Sequence, residues 1–329
     1  MADFNPRNFR MWSMMGINPC IWSIAFPEVI AKHSEAVALT ADLGRYSGMM
    51  RTWNAHPDRF VNVGIAEQNM VGIAAGLAMC GSQVFMTTYA PFISYRCADQ
   101  MRHLVGNHSL NIKAIGSAAG LSAGLSGSAL LALGDIALMR SVPNMIVLSP
   151  ADCTEAIKMV LASAETDKPV YMRFCGAVNI PVVYKADYEF QIGKAYPLKD
   201  GERVLIAATG TTIVAEALKA AAIVEERTGV SPAVVNFPTI KPLDTDYLAN
   251  MSSRYEQIYT VEEHSVLGGF GSAMCEFAAT HDGFPPVGIL GVSDTVLVMG
   301  HRPFMLEQCG LTANGIADRI EHDLQGEKQ

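Results

Sequence analysis

Residues 59–79 place a single carboxylate at the start of an almost wholly apolar helix. An apolar, strand-like run (Phe60–Val63) ends at Gly64, and a helix beginning near Glu67 continues through Met70–Met79 with small and apolar side chains. Because that helix has almost no polar face, the sequence predicts that it is buried nearly all round. A buried strand followed directly by a buried helix is typical of an α/β fold.

Glu67 has two interpretations. A glutamate in the first turn can favour the helix N-terminus through the macrodipole, or close a capping box with the backbone behind it. Alternatively, the carboxylate serves a bound group, since a carboxyl in a buried helix is costly without a hydrogen-bond partner. The residue pattern alone leaves both open.

The string NVGIAEQNM, from Asn62 to Met70, resembles the pyrimidine-binding domain of transketolases. The resemblance implies that Glu67 is catalytic and binds the aminopyrimidine ring of thiamine diphosphate. A carboxyl that shares a proton with ring nitrogen N1′ favours the imino tautomer, whose exocyclic nitrogen can take the proton from carbon 2 and leave a nucleophilic carbanion.

Three aromatic residues follow a predicted strand, Val84–Thr88, at intervals of three: Tyr89, Phe92 and Tyr95. They fall roughly on one helix face, so one interpretation is an aromatic stripe in the core. In the resembling family, aromatic residues at these spacings stack on and enclose the aminopyrimidine. The resemblance therefore implies that all three bind the cofactor, as flat rings suit another flat ring.

Polar residues follow predicted strands at other points. Asp42 comes directly after the buried strand Ala36–Ala41, and the carboxyl ends of strands are where open α/β sheets bind ligands. The resemblance implies that Asp42 binds the cofactor and that Ser47 and Arg173 lie near the substrate phosphate. Ser47 stands one residue later than in many members of the family. A turn-forming Asp42 and a surface Arg173 are the alternatives.

Other positions depart from the family. An active-site histidine is replaced by Leu130, a histidine that contacts the substrate phosphate by Ala118, and an acidic residue of the sugar-hydroxyl site by Ser126. Because leucine and alanine side chains cannot hydrogen-bond to a sugar, the chain is expected to use an atypical substrate.

Composition narrows the class of protein. The net charge of −8 disfavours nucleic acid and anionic membranes as partners. Seven cysteines are scattered singly, unlike a zinc site or a disulfide scaffold. The first residues lack the pattern of a secretory signal, and the uncharged stretch 114–134 is too rich in Gly and Ser for a membrane span. We expect a cytoplasmic protein.

Strand and helix patterns recur after residue 200, which predicts two three-layer α/β/α domains with mainly parallel sheets. The predicted divisions are a pyrimidine-binding domain at 1–178, a linker at 179–200 and a transketolase C-terminal domain at 201–329. The string from Thr260 to Ser272 resembles that second domain. It implies a mainly structural role, with His264 at an interface, and Gly268–Gly271 lacks the lysine of a phosphate-binding loop.

The chain lacks the Gly-Asp-Gly string, with an asparagine some thirty residues later, with which the family anchors Mg²⁺ and the diphosphate. No metal ligand is therefore assigned here. The resemblance implies the C-terminal-section subunit of a split enzyme of carbohydrate metabolism. An N-terminal-section partner would hold the diphosphate and Mg²⁺, in an expected α2β2 heterotetramer.

The predicted activity is transfer of a two-carbon ketol unit between small-molecule substrates. Two alternatives remain: a β subunit of a 2-oxo-acid dehydrogenase, which has the same two-domain architecture, and a non-catalytic partner subunit, which Leu130 makes plausible.

Overall fold

Two sheets, each covered by helices on both faces, organise the chain in the computed structural model, which describes residues 2–176 and 178–326. The first part of the chain contains helices α1 (Pro6–Met15), α2 (Ile17–Cys20), α3 (Phe26–Lys32), α4 (Met50–Ala55), α5 (Glu67–Met79), α6 (Ala98–Gln100), α7 (Asp135–Ser141) and α8 (Cys153–Ala164), and strands β1 (Ala36–Thr40), β2 (Phe60–Asn62), β3 (Gln83–Tyr89), β4 (Ile112–Ser117), β5 (Ile146–Leu148) and β6 (Val170–Arg173). The second part contains strands β7 (Tyr196–Lys199), β8 (Arg203–Ala208), β9 (Ala233–Asn236), β10 (Thr239–Lys241), β11 (Tyr255–Ser265) and β12 (Val287–Val292), and helices α9 (Ile213–Thr228), α10 (Thr245–Met251), α11 (Phe270–Ala278), α12 (Arg302–Gln308) and α13 (Ala313–Leu324). Short π-helical segments lie at Ile21–Ala25, Phe92–Arg96 and Met101–Asn107, and 3-10 turns at Pro57–Arg59, Gly124–Ser126, Ser128–Leu130 and Ser252–Arg254.

The first sheet has the strand order β10-β5-β6-β4-β3-β1-β2, parallel except for β10. Its central strands are apolar on both faces because helices cover both. In β1, for example, Leu39 packs into one core cluster while Ala36 and Ala38 pack into another, as the two-residue period of a strand requires. The α/β fold class is confirmed.

The second sheet has the order β12-β11-β8-β9-β7, parallel except for β7. Helices α9 and α13 cover one face and α11 the other. Strand β7 lies inside the stretch predicted as a linker, 179–200, so that segment is in part an element of the second sheet.

A strand from the second part of the chain belongs to the first sheet. Strand β10 follows β9 in the chain yet pairs antiparallel with β5 of the first sheet, with Thr239 opposite Leu148. Lys241 of β10 donates to the carbonyls of Arg140 and Val142 at the end of α7, where a cation also complements the helix dipole. One core cluster spans both parts of the chain, so the two domains form one packed body.

A buried acid, Glu155 of α8, joins the first sheet, the connecting segment and the second sheet. Its carboxyl accepts hydrogen bonds from the Ala151 amide, the hydroxyls of Tyr184 and Tyr188, and the Asn236 amide in β9. Burial raises the pKa of Glu155 to about 7, and the hydrogen bonds from Ala151 and Asn236 oppose that rise. At a given pH, the protonated form of Glu155 is therefore more populated than that of a free glutamate.

Among the described residues, no helix has both the length and the apolar character that crossing a membrane requires. The uncharged stretch 114–134 contains the end of β4, two 3-10 turns and connecting loops.

The pH dependence of the unfolding free energy tests the role of Glu155 in this junction between the two sheets. Because the folded pKa of about 7 exceeds the unfolded value of 4.5, the stability that Glu155 contributes is full at low pH and is lost as pH rises through about 7. From about pH 5 to about pH 8, the wild type should lose roughly 2–3 kcal/mol of unfolding free energy relative to Glu155→Gln. Urea denaturation at each pH measures the difference, and Glu226→Gln, at an exposed glutamate, is the control. A constant difference would contradict the assignment.

Candidate active site

The carboxyl ends of the neighbouring strands β1, β2 and β3 bring the candidate residues to one edge of the first sheet. Asp42 follows β1 with a φ of 58°, and Asn62 ends β2. The Asp42 amide donates to Asn62 Oδ1 and the Asn62 side-chain amide donates to Asp42 Oδ1, both at 3.0 Å. Asn62 Oδ1 also accepts from the Gly64 amide. The turn that leads into α5 is thereby fixed to the end of β1.

Glu67 is the first residue of α5, and only 4% of its surface is exposed. Arg96 Nη1 donates to its Oε1 at 2.7 Å. The N-cap residue, Ala66, makes no side-chain capping bond, and within the described part of the chain Glu67 caps no backbone amide, so there is no capping box. No group in that part of the chain donates to Oε2. The carboxylate therefore has one oxygen paired and one available.

Arg96 links the carboxylate to the aromatic residues. Its guanidinium carbon lies 3.9 Å from the centre of the Phe92 ring, and its carbonyl accepts from the Gln68 side chain. Such a cation over a ring face is favourable, and it holds the arginine beside Glu67. The sequence interpretation missed Arg96. A search for a cation to pair with the buried acid would have found it directly after Tyr95.

The three aromatic residues do not form a core stripe. Tyr89 and Phe92 are half-buried with ring centres 5.7 Å apart, and Tyr95 is 51% exposed. Burial raises the pKa of Tyr89 to about 12, with a further rise from the neighbouring hydroxyl of Tyr46. Phe92 lies against Arg96, the partner of Glu67, and Tyr89 lies beside Phe92 at this aromatic edge, whereas the Tyr95 hydroxyl approaches the backbone of Gly134.

Tyr46, rather than Ser47, reaches this edge. Ser47 is fully buried and its hydroxyl has no hydrogen-bond partner among the described residues. The ring of Tyr46 contacts that of Tyr89 edge-on, with centres 5.2 Å apart. The turn 43–49 points the Tyr46 side chain outward and buries that of Ser47, whose place near the substrate stays a prediction.

Arg173 lies in the interior instead of facing a ligand. Its Nε donates to Asp135 Oδ2 at 2.9 Å, and Nη2 donates to the carbonyls of Ala132 and Glu263. Both partners of the ion pair are fully buried. Burial alone would lower the pKa of Arg173, but Asp135 raises it above its usual value. The predicted phosphate contact would require these bonds to break, so the structure places Arg173 in the junction between the domains.

The glycine-rich turn before α11 is not an anion site. The amides of Phe270 and Gly271 donate to the buried carboxylate of Glu262, at 2.7 and 2.8 Å. His264 is also buried, with Nδ1 2.8 Å from the Ser265 carbonyl and Nε2 3.4 Å from the Ala137 amide. His264 of β11 therefore contacts α7, where the two domains of the chain meet.

A cavity of about 370 Å³ adjoins the aromatic edge. Tyr46, Tyr89, Ser126 and Leu130 line it from the first domain, and residues 300–303 line it from the second. Ala118 is buried, with a φ of 50°, and its backbone lies next to Gly176 of the cavity lining. Across the described residues, no group of three or more His, Cys, Asp or Glu side chains could hold a metal ion.

A family model described as the transketolase pyrimidine-binding domain matches residues 21–176, and one described as the transketolase C-terminal domain matches residues 193–316. A protein of Methanocaldococcus jannaschii, provisionally named a transketolase C-terminal section, is 35% identical over 302 residues, which cover 91% of this chain and 94% of that protein. The 6-deoxy-6-sulfo-D-fructose transketolase subunit SqwH of Clostridium sp. strain MSTE9 is 36% identical over 306 residues, which cover 92% of each.

The chain belongs to the transketolase family. A solved structure described as a split-gene transketolase, an inactive β4 tetramer, superposes with a TM-score of 0.84 at 33% identity, covering 95% of this chain and 99% of that one. A transketolase of Campylobacter jejuni gives a TM-score of 0.73 at 20% identity, and 46% of its length is covered, which shows the shared fold. The resemblance to a transketolase C-terminal section is confirmed.

The composition of α5 predicted that the helix is buried nearly all round. In this transketolase-family chain it is not, and that prediction is wrong. Gln68, Asn69, Gly72 and Gly76 are exposed, and Met79 is 73% exposed. A Cβ added at Gly72 or Gly76 would meet no atom within 4 Å. The helix that begins with the key carboxylate thus has one open face of small residues.

The role of Arg173 can be tested by removing it. Arg173→Met leaves Asp135 as an unpaired buried charge, which should cost about 3–5 kcal/mol of unfolding free energy. Chemical denaturation measures the loss. In the control, Arg319→Met, the exposed pair with Asp323 should cost under about 1 kcal/mol. Unchanged stability with weakened binding of a ketose phosphate would instead show that Arg173 contacts the substrate.

Proposed function

We propose that this chain is the C-terminal-section subunit of a split, thiamine-diphosphate-dependent transketolase that transfers a two-carbon ketol unit. The observation that carries the proposal is the buried carboxylate of Glu67, which has one oxygen unpaired among the described residues and lies close to the half-buried ring of Phe92. Family membership supports use of this cofactor.

The residues fit an aminopyrimidine. Such a ring offers a flat π face and a nitrogen that can share a proton with a carboxyl. Tyr89, Phe92 and Tyr95 offer accessible ring surface, and Glu67 offers an oxygen that no described protein group occupies. When bound, thiamine diphosphate supplies a nucleophilic carbon and an electron sink.

In this proposal, Glu67 shares a proton with the ring nitrogen. Arg96 pairs with the other carboxylate oxygen, which fixes the orientation of the carboxyl. The rings exclude water from one side and position the cofactor. Asp42, held by Asn62 at the same edge, belongs to the cofactor site in this proposal.

A second polypeptide completes the site. This chain carries no recognisable diphosphate anchor, so an N-terminal-section subunit would hold the diphosphate and Mg²⁺. The open face of α5 offers a surface next to Glu67 for that subunit to cover. The related split-gene structure, described as an inactive β4 tetramer, and relatives named as subunits of apulose-4-phosphate transketolase support an assembly of two chain types, for which we propose α2β2.

The substrate is atypical in this proposal. Leu130 and Ala118 replace histidines, Ser126 replaces an acid, and Arg173 is engaged by Asp135. Relatives are named for 6-deoxy-6-sulfo-D-fructose and apulose 4-phosphate, which are unusual ketoses. A role in carbohydrate metabolism, and a cytoplasmic location suited to seven free cysteines, belong to the same proposal.

Glu67→Gln tests the catalytic assignment in the assembled pair. The amide keeps the shape but cannot hold the proton, so turnover of ketoses should fall by roughly 10²–10⁴-fold while the pair still assembles. Steady-state kinetics and sedimentation measure the two quantities, with Glu226→Gln as the matched control. Undiminished ketol transfer would exclude the role. Decarboxylation of a 2-oxo acid in place of ketol transfer would favour a dehydrogenase β subunit, and no turnover on either would favour a non-catalytic partner.

Gly76→Arg tests the partner surface. The added side chain has space in the isolated chain, and arginine favours the helix, so folding should be preserved. Assembly with the N-terminal section should weaken by roughly tenfold or more, because a long charged side chain would enter the interface. Light scattering measures assembly, and Ala222→Arg, on the exposed face of α9, is the control. Normal assembly of Gly76→Arg would place the interface elsewhere.

A further inference from the structure

The cavity beside the aromatic edge has walls from both domains. Tyr89 belongs both to the proposed cofactor site and to the cavity, so the cavity extends outward from where the aminopyrimidine would bind. The first-domain wall contributes Leu130, Ser122, Ser126 and Tyr46, and no Lys, Arg, His, Asp or Glu side chain among its described lining. A substrate held here would meet no cation from the first domain.

The second domain contributes two basic residues, Arg302 and His301. Arg302 is already engaged. Its Nε donates to both oxygens of Glu263, Nη1 donates to Thr212 Oγ1, and Nη2 donates to the Thr211 carbonyl and to Glu263. Since Glu263 balances its charge, Arg302 serves mainly to hold the start of α12 in place.

The same carboxylate fixes the opposite wall. Glu263 Oε1 accepts from the Leu121 amide at 2.7 Å, in the loop that leads to Ser126 and Leu130. The loop and the start of α12 are therefore held by one buried group, and the distance across the cavity is set by that group. Side chains on the two walls are positioned relative to each other.

His301 immediately precedes α12 and is exposed to the cavity. Its ring makes no capping bond and has no hydrogen-bond partner in residues 2–176 and 178–326. The described lining includes no aspartate or glutamate to neutralise it. His301 is therefore an available donor in a cavity whose other basic group is already paired.

We propose that His301 is a specificity-determining residue that the second domain supplies, and that it donates to a tetrahedral oxyanion on the terminal carbon of the ketose substrate. This inference rests on the proposed function. The oxyanion is a phosphate or a sulfonate, which share the geometry and acceptor oxygens that an imidazole recognises. A residue on the other side of the cavity thus supplies a hydrogen bond to the substrate that Ala118 and Leu130, which replace histidines, cannot make.

Kinetics of the assembled pair test this role with three donors: D-fructose 6-phosphate, 6-deoxy-6-sulfo-D-fructose and D-fructose. For His301→Ala, kcat/KM on the anionic donor that the wild type prefers should fall by about tenfold or more, through KM, because a charge-assisted hydrogen bond is lost. The value for D-fructose should stay within about twofold. His301→Lys should recover part of the preference for the anionic donor over D-fructose. His103→Ala, at an exposed histidine outside the cavity, should leave kcat/KM on all three donors unchanged. The better anionic donor distinguishes phosphate from sulfonate.

Calorimetric titration of the assembled pair with the two anionic donors gives a readout that needs no turnover. Weaker binding in His301→Ala, with normal binding in His103→Ala, supports the proposal even if ketol transfer is not found and the proposed function fails. Equal losses on charged and uncharged donors, no loss on either, or a wild type that binds neither anionic donor would overturn it.

Discussion

The buried ion pair between Asp135 and Arg173 holds the arginine where it also donates to the second domain. Removing two charges from water is costly, and that cost is offset here only because Arg173 also donates to the Ala132 and Glu263 carbonyls while Tyr171 donates to Asp135. Those partners come from α7, from the loop lining the cavity, and from β11. Displacing the second domain would leave Arg173 Nη2 without the Glu263 carbonyl in a low-dielectric interior, so Asp135, by fixing Arg173, stabilises the contact between the domains.

Most of the sheet architecture could be predicted because each central strand is a continuous apolar run. The start of α8 agrees with its residue type, because Asp152 is a good helix-capping residue and its side chain accepts from the Glu155 amide. Helix α1 was missed, although Asn5 followed by Pro6 is a good helix start, because its polar residues obscured the buried Phe9 and Trp12. Strands β7 and β10 were missed because their partners lie far away in sequence.

At the candidate site, Glu67 and the rings were predictable from spacing and resemblance, whereas their partners were not. Arg96 and Tyr46 reach the site through a π-helical segment and a tight turn, whose local geometry the residue pattern does not specify. Arg173 shows the opposite case. Its position at the end of a strand suggested a ligand contact, but the acid that engages it starts a helix 38 residues earlier in the chain.

The pairing of β10 with β5 means that the two domains are not separable modules. A chain cut between residues 178 and 200 would leave β5 with a row of unpaired backbone groups along one side. Exposed edges of that kind recruit strands from other molecules. The α7 carbonyls that now receive the Lys241 ammonium would lose their donor as well. Recombination within this family therefore preserves the β10–β5 pair when the two domains are exchanged together, and breaks it when either domain is exchanged alone.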